Sequence, residues 1–408
     1  MGKFIVNGGK PLYGGVRVSG SKNAALPIIF ASIATEGVTR IYNLPNITDV
    51  TDALCIIESF GAKVWRECGI TYIDTRQLRY TKVNLERVHR IRASTYLIGA
   101  CLARFGKAEL LPFGGCAFSH RPIDIHLYAA ERLGAVIDGE HLRASMLRGT
   151  TLEFKLPSVG ATVNSLILAS RAEGESRLIG AAREPHILAL ISYLRSAGAE
   201  IAVSGDEIIV KGADLHGGTA IIPGDMIEAG TFLTASVITG GRVRVSGFDA
   251  RELKAFTAPL LSSGVIEDVS GGSIMLVGKP RRDISVVTDA YPGFATDLQP
   301  IFATLLAVSR GGRIEERVWK SRFGYLDELA RFGLSYRREG SVAQIFPSEI
   351  LSAGVKAPDL RGGAAAILLA LVAEGESVID CGELVLRGYD SFDEKLRALG
   401  AEIQYCEK

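Results

Sequence analysis

Six stretches of the chain are apolar at almost every position for about three helical turns each. A helix that is hydrophobic on every side has no face to present to water, so it must be buried all round. The pattern therefore predicts six internal helices, at residues 23–35, 93–104, 161–172, 229–238, 297–309 and 362–373.

Glycines repeat in phase with these helices. Each apolar helix is followed by a glycine and a strand-like run, and a second helical segment then ends on another glycine before a further strand. Glycine just past a helix end adopts the left-handed conformation that turns the chain. The two sets predict six βαβαββ-like repeats; their glycines are Gly37, Gly106, Gly174, Gly240, Gly312 and Gly375, and Gly61, Gly134, Gly198, Gly264, Gly333 and Gly400.

A chain of 408 residues exceeds what a single hydrophobic core usually supports. Six repeats over two domains give three repeats to each. Because the apolar helices must be inside, the sheets must lie outside. The sequence therefore predicts an α/β fold of two such domains.

Composition excludes several functional classes. The chain has 46 basic and 45 acidic residues, and a net charge of +1 gives no electrostatic reason to expect nucleic-acid binding. No apolar run approaches the roughly 18 residues of a membrane span, and the amino terminus lacks the apolar segment of a signal peptide. The six cysteines show no paired or metal-ligand spacing, which predicts no metal site and a reducing cytoplasmic location.

One loop, residues 111–124, carries candidate chemistry. Gly114 and Gly115 precede Cys116, and Arg121 follows five residues later. A nearby guanidinium favours the reactive thiolate and can hold an anion. The alternative is a buried structural cysteine, which is the commoner role of a free cysteine.

Several motifs in register resemble the enolpyruvyl transferases along essentially the whole chain. They are Ser19-Gly-Ser-Lys22-Asn23, Gly-Gly-Cys116-Ala with Arg121-Pro, Pro157-Ser-Val-Gly-Ala-Thr162, Ala182-Arg-Glu-Pro185, Phe294-Ala-Thr-Asp297-Leu-Gln, Asp359-Leu-Arg361 and Arg387-Gly-Tyr. The resemblance implies two inside-out α/β barrels, helices inside. Residues 1–21 and 224–408 would form one domain, and 22–223 would form an inserted domain carrying the Cys116 loop. The active site would lie in the cleft between them.

The resemblance also implies the reaction. The enolpyruvyl group of phosphoenolpyruvate would move to the 3′-hydroxyl of UDP-N-acetylglucosamine, releasing phosphate, in the first committed step of peptidoglycan synthesis, without metal or organic cofactor. Cys116 would deliver a proton and Asp297 would remove one, with Lys22 and Arg387 as further catalytic residues. Phosphoenolpyruvate would be held by Lys22, Arg92, Arg121, Arg322, Arg361 and Arg387. The nucleotide sugar would contact Asn23, Arg121, Pro122, Ile123, Asp124, Ile125, Ser158, Val159, Gly160 and Val318.

Alternatives remain open at this point. On its local sequence alone, Asp297 favours a helix cap over a base, and only the resemblance makes it a catalytic candidate. The branch of the family acting on shikimate-3-phosphate shares the fold but lacks the Gly-Gly-Cys loop. A catalytically weak sugar-nucleotide-binding relative is the other alternative, because the chain departs from the family pattern at Met226, at Trp319-Lys320-Ser321 and at Glu383-Leu-Val-Leu386.

Overall fold

The structure, a computed structural model, describes residues 2–115 and 121–407. This part of the chain divides into two compact units. We call residues 2–19 and 224–407 the terminal unit, and residues 20–115 and 121–223 the central unit. The chain passes between them once after residue 19 and once after residue 223.

Within the described ranges, short strands alternate with helices. The strands are β1 (Lys3–Gly8), β2 (Tyr13–Arg17), β3 (Val38–Tyr42), β4 (Lys63–Glu67), β5 (Ile70–Asp74), β6 (Lys107–Glu109), β7 (Val136–Asp138), β8 (His141–Arg143), β9 (Thr151–Glu153), β10 (Glu175–Ile179), β11 (Glu200–Ser204), β12 (Glu207–Lys211), β13 (Thr219–Ile221), β14 (Arg242–Ser246), β15 (Ile266–Ser270), β16 (Ser273–Val277), β17 (Ile284–Val287), β18 (Gly312–Glu315), β19 (Ser335–Glu339), β20 (Val342–Phe346), β21 (Gly354–Lys356), β22 (Gly375–Asp380) and β23 (Glu402–Cys406).

The α-helices follow the same order. They are α1 (Lys22–Ala31), α2 (Thr48–Ser59), α3 (Leu85–Arg90), α4 (Leu97–Phe105), α5 (Asp124–Arg132), α6 (Val159–Ala169), α7 (Pro185–Ser196), α8 (Met226–Thr239), α9 (Lys254–Ser262), α10 (Gln299–Ala307), α11 (Tyr325–Leu329), α12 (Leu360–Val372) and α13 (Phe392–Ala398). 3₁₀ turns extend some of them, at Ser32–Ala34, Arg92–Tyr96, Ala250–Leu253, Thr296–Leu298 and Ala330–Phe332, and a separate 3₁₀ segment, Gly382–Arg387, follows β22.

The six predicted internal helices are confirmed as α1, α4, α6, α8, α10 and α12. Every residue of α10 is buried, and so is every residue of α12 from Leu360 to Leu371. In the terminal unit α8, α10 and α12 pack on one another, and in the central unit α4 packs on both α1 and α6. The bounds shift by a few residues where 3₁₀ turns take over, as at Thr296–Leu298 before α10.

Three separate sheets belong to each unit, and each has an alternating strand pattern that buries one face against the helices. The terminal unit has the orders β21-β22-β1-β23, β15-β16-β14-β2 and β17-β18-β20-β19. The central unit has β13-β3-β5-β4, β11-β12-β10-β9 and the three-stranded β6-β8-β7. Helices inside and sheets outside are therefore confirmed, although the described strands form separate sheets rather than one continuous barrel.

The predicted βαβαββ repeat is clearest in β9-α6-β10-α7-β11-β12. Here β9 and β10 pair in parallel across the internal helix α6, and β11 and β12 form an antiparallel hairpin that joins the sheet through β12. The same order recurs in β17-α10-β18-α11-β19-β20. Two parallel strands must be joined by a long crossover connection, which here is the internal helix. Burial of that helix therefore also determines which strands pair in the sheet.

Strands distant in sequence complete three of the sheets. β1 lies between β22 and β23 and pairs antiparallel with both. β2 pairs in parallel with β14, and β13 pairs in parallel with β3. Each unit therefore retains the strand that immediately precedes a crossing of the chain to the other unit.

The glycine repeat has the predicted conformational basis. All twelve glycines of the two predicted sets have positive φ angles, from 67° at Gly106 to 155° at Gly312. An L-residue with a side chain rarely adopts this region, so glycine is the residue that permits these corners.

We expect Gly400→Ala to lower the free energy of unfolding by about 1–2 kcal/mol, because Gly400 has a φ of 101°. An added Cβ would meet no atom within 4 Å there, so the variant tests the cost of the positive φ angle without any steric clash. Gly354→Ala is the matched control: it is also exposed with open space around it, but without a positive φ. Urea unfolding of both variants measures the difference, and equal midpoints would contradict this account.

Candidate active site

Arg92 and Arg121 form a half-buried cationic pair in the central unit. The Arg92 guanidinium donates a hydrogen bond to the Arg121 backbone carbonyl. Burial lowers the pKa of Arg92, which shows that its charge is partly removed from water. A bound anion would compensate for that loss of hydration.

The glycines of the predicted loop fit closely beside this pair. A Cβ on Gly115 would lie 2.8 Å from Cβ of Arg92 and 3.0 Å from an Nη atom of Arg121, and its φ is 102°. A Cβ on Gly114 would lie 1.5 Å from the His89 carbonyl oxygen. Both positions therefore require glycine. Cys116 lies outside the described residues, so its reactivity stays a prediction.

His126 and Asn164 form a buried network that the sequence analysis missed. Asn164 Nδ2 lies 2.7 Å from His126 Nδ1 and donates to the Thr95 carbonyl at 3.1 Å, while Asn164 Oδ1 accepts from the Gly99 amide at 2.9 Å. Burial, and then the charge of Arg92, lowers the pKa of His126 to about 4. The ring is therefore neutral at physiological pH, and because Nδ1 accepts from the amide, Nε2 carries the proton.

Gly160 has a role that the sequence analysis did not foresee. A Cβ there would lie 2.7 Å from His126 Cε1, so glycine leaves room for the imidazole ring at the start of α6. Ser158 caps the same helix by accepting from the Ala161 amide at 3.3 Å. The signals available in sequence were His126 two residues after Asp124 and the single amide side chain of Asn164 within an apolar helix.

Lys22 begins α1 and is largely buried. Its Nζ lies 3.3 Å from Oδ2 of Asp49, and the two side chains are 13% and 5% exposed. The neighbouring Asn23 is half-buried. Lys22 is therefore not a solvated surface charge, and Asp49 is a further residue that the sequence analysis missed.

Asp297, Arg322 and Arg361 meet in the terminal unit. Asp297 Oδ1 accepts from Arg322 at 2.8 Å, and Oδ2 accepts from Arg361 at 3.1 and 3.3 Å. Arg361 is only 1% exposed and its guanidinium lies 5.1 Å from the centre of the Tyr389 ring. Asp297 is therefore the acidic centre of a buried charge cluster, which is more than a helix cap requires.

The terminal unit contains two further predicted site residues. Arg387 is half-buried at the end of the 3₁₀ turn Gly382–Arg387. Val318 follows β18 and is 38% exposed. The other predicted residues that the structure describes, from Lys22 to Gly160, belong to the central unit: Pro122 and Asp124 are exposed there, and Ile123, Ile125, Ser158 and Val159 are half-buried.

No group of three or more histidine, cysteine or acidic side chains could hold a metal ion within residues 2–115 and 121–407. No helix in that part of the chain is both long and apolar enough to cross a membrane. The five described cysteines are all free thiols.

The sequence matches the family described as EPSP synthase (3-phosphoshikimate 1-carboxyvinyltransferase) over residues 6–396. The chain belongs to this family. It is 41% identical to the UDP-N-acetylglucosamine 1-carboxyvinyltransferase of Halothermothrix orenii and 40% identical to that of Clostridium botulinum, with 99% of each chain covered.

Solved structures of enolpyruvyl transferases share the fold. The enolpyruvyl transferase NikO from Streptomyces tendae is similar with a TM-score of 0.87 at 24% identity, covering 99% of both chains. EPSP synthase from Acinetobacter baumannii is similar with a TM-score of 0.73 at 17% identity, covering the whole of both. The fold and family predicted from the motifs are confirmed for this EPSP synthase family member.

The buried imidazole gives this family member a testable pH dependence. In the unfolded chain His126 is protonated as the pH falls below about 6.5. In the folded protein the pKa of His126 is about 4, so the ring stays neutral down to that pH. Because the unfolded chain then binds more protons, the free energy of unfolding should fall by about 3 kcal/mol as the pH falls from 6.5 to 4.

Unfolding free energies measured from pH 7 to pH 4 should therefore fall less steeply in His126→Gln, whose carbonyl can still accept from Asn164. His141→Gln, a change at an exposed strand position, is the control and should keep the wild-type slope. Parallel slopes for wild type and His126→Gln would contradict the assignment.

Proposed function

We propose that the protein transfers the enolpyruvyl group of phosphoenolpyruvate to the 3′-hydroxyl of UDP-N-acetylglucosamine and releases inorganic phosphate. The observation that carries this proposal is the match to relatives of that name at about 40% identity over 99% of both chains. The proposal includes a place in peptidoglycan synthesis and in the cytoplasm. Free thiols at all five described cysteines support a reducing compartment.

Phosphoenolpyruvate carries a phosphate and a carboxylate, which require fixed cations. In the proposal Lys22, Arg121 and Arg387 hold it, with Arg92, Arg322 and Arg361 as further charges. Arg361 supports this role because its Nη1 is buried without a hydrogen-bond partner among the described residues. An unsatisfied buried donor is costly, and an incoming anionic oxygen would satisfy it.

The chemistry requires an acid and a base. Cys116 adds a proton to the terminal vinyl carbon, which makes the adjacent carbon electrophilic. Asp297 removes the proton of the 3′-hydroxyl as the sugar oxygen bonds to that carbon. Loss of a proton from the former vinyl carbon then expels phosphate and restores the double bond. The contacts of Asp297 support its role, because two arginines fix both oxygens of the carboxylate.

The nucleotide sugar is assigned to Asn23, to residues 121–125, to Ser158, Val159 and Gly160, and to Val318. The start of α6 supports the assignment of residues 158–160. Backbone N–H groups at a helix N-terminus suit a diphosphate.

Phosphate release should distinguish the two branches of the family. We expect phosphate release with phosphoenolpyruvate plus UDP-N-acetylglucosamine. With shikimate-3-phosphate as acceptor, kcat/KM should be at least about 10²-fold lower. The reason is that the hydrogen-bonding groups of a site built for one acceptor stay unpaired when a different acceptor binds. The opposite preference would favour the sister reaction. Binding of the sugar nucleotide without release would favour a catalytically weak relative.

Asp297→Asn should lower kcat by about 10²- to 10⁴-fold, because removing a positioned general base removes a proton acceptor from the transition state. Binding of UDP-N-acetylglucosamine, measured by calorimetry, should change little. Asp289→Asn is the control: it is an exposed aspartate of the same unit, and its side chain accepts from the adjacent Ala290 amide. Near-normal turnover in Asp297→Asn would remove it as the base.

A further inference from the structure

Glu316 is a fully buried carboxylate that the reaction as proposed above does not use. It follows β18 and accepts four hydrogen bonds. Its Oε1 accepts from the Thr288 hydroxyl at 2.7 Å and from the amides of Val318 and Trp319 at 3.0 and 2.8 Å. Its Oε2 accepts from the Thr296 hydroxyl at 2.9 Å. The two oxygens therefore serve different neighbours.

The Oε2 contact leads to the candidate base. Thr296 Oγ1 also accepts from Arg322 Nη1 at 3.1 Å, and the same Nη1 donates to Asp297 Oδ1 at 2.8 Å. A hydroxyl has only one proton to donate. Because Thr296 gives that proton to Glu316, its lone pairs are directed towards the guanidinium of Arg322.

The Oε1 contacts lead to the backbone of the following turn rather than to the Arg322 guanidinium. They fix the turn at Val318 and Trp319, and Thr288 reinforces this turn by accepting from the Arg317 amide at 2.9 Å. Thr288 and Thr296 are therefore a matched pair: each donates a hydroxyl proton to the same buried carboxylate. Thr296 contacts the Arg322 guanidinium itself, whereas the turn fixed by Oε1 reaches Arg322 through its backbone amide, which donates to the Trp319 carbonyl at 2.8 Å.

We propose that Glu316 is a positioning residue that acts through Thr296 to hold Arg322 against Asp297. This inference rests on the proposed function, since Asp297 and Arg322 are assigned to the reaction there. In this arrangement Thr296 transmits the position of Glu316 to the reacting side chains, and Thr288 does not.

Thr296→Val and Thr288→Val test the proposal. Each replaces a hydroxyl by a methyl group of similar size and removes one donor from Glu316, so similar losses of thermal stability are expected. Thr296→Val should lower kcat by about 10- to 100-fold, because small displacements of a catalytic group cost factors of this size. Thr288→Val should keep kcat within about two-fold, with any change falling on the KM for UDP-N-acetylglucosamine.

Two further variants separate positioning from a merely structural role. Thr296→Ser retains the hydroxyl and should restore kcat to within a few-fold of wild type. Glu316→Gln can keep a carbonyl towards the turn while its amide donates to Thr296, which reverses that hydrogen bond. It should therefore lower kcat while leaving the KM for UDP-N-acetylglucosamine near the wild-type value.

Binding of phosphoenolpyruvate, measured by calorimetry in the absence of the acceptor sugar, gives a readout independent of turnover. We expect Thr296→Val to weaken it at least about ten-fold, through Arg322, and Thr288→Val to leave it unchanged. Equal effects of the two valine variants on kcat and binding, or no rescue by serine, would overturn the positioning role. A wild-type protein that binds phosphoenolpyruvate but never releases phosphate would overturn the proposed function alone, and one that does not bind it would overturn both.

Discussion

Three helices with no polar face must be enclosed in each unit, and most of the fold follows from that constraint. Sheets that bury one face can surround such helices, and parallel pairing across α6, α10 and α12 ties each of these helices to its own sheet. Because the sheets are completed by β1, β2 and β13, distant parts of the chain must come together before the helices are fully covered. The apolar helices thus determine the topology as well as the core.

The same helices position the chemistry. Lys22 begins α1, Val159 and Gly160 begin α6, Asp297 precedes α10 and Arg361 is the second residue of α12. Arg92 begins the 3₁₀ turn that leads into α4. N-terminal helix ends carry partial positive charge and unpaired amides, so they favour anionic ligands. Through the repeat, residues far apart in sequence therefore each lie at or beside the start of a helix within their own unit.

Two of the three departures from the family pattern, at Met226 and at residues 319–321, lie beside backbone contacts that the substitutions do not remove. The amides of Val318 and Trp319 are fixed by Glu316, whatever side chains follow at Lys320 and Ser321. Arg322 keeps its contacts to Thr296 and Asp297. Met226 begins α8, whose first turn is capped by the Asp225 side chain. The substitutions at positions 226 and 319–321 therefore leave the charge cluster at Asp297 in place.

By itself the sequence determined the fold class, the six repeats, the internal helices and the conformation at their glycines. These features depend on local chemistry: an apolar helix needs burial wherever it lies, and a positive φ needs glycine. Tertiary structure decided the roles of Asp49, His126, Asn164 and Glu316. Within its own segment each is an ordinary polar residue. Each makes at least one hydrogen bond to a residue that lies 27 or more positions away in the sequence. The depressed pKa of His126 and the positive charge around Asp297 arise from burial and from neighbours on other elements, which no local pattern encodes.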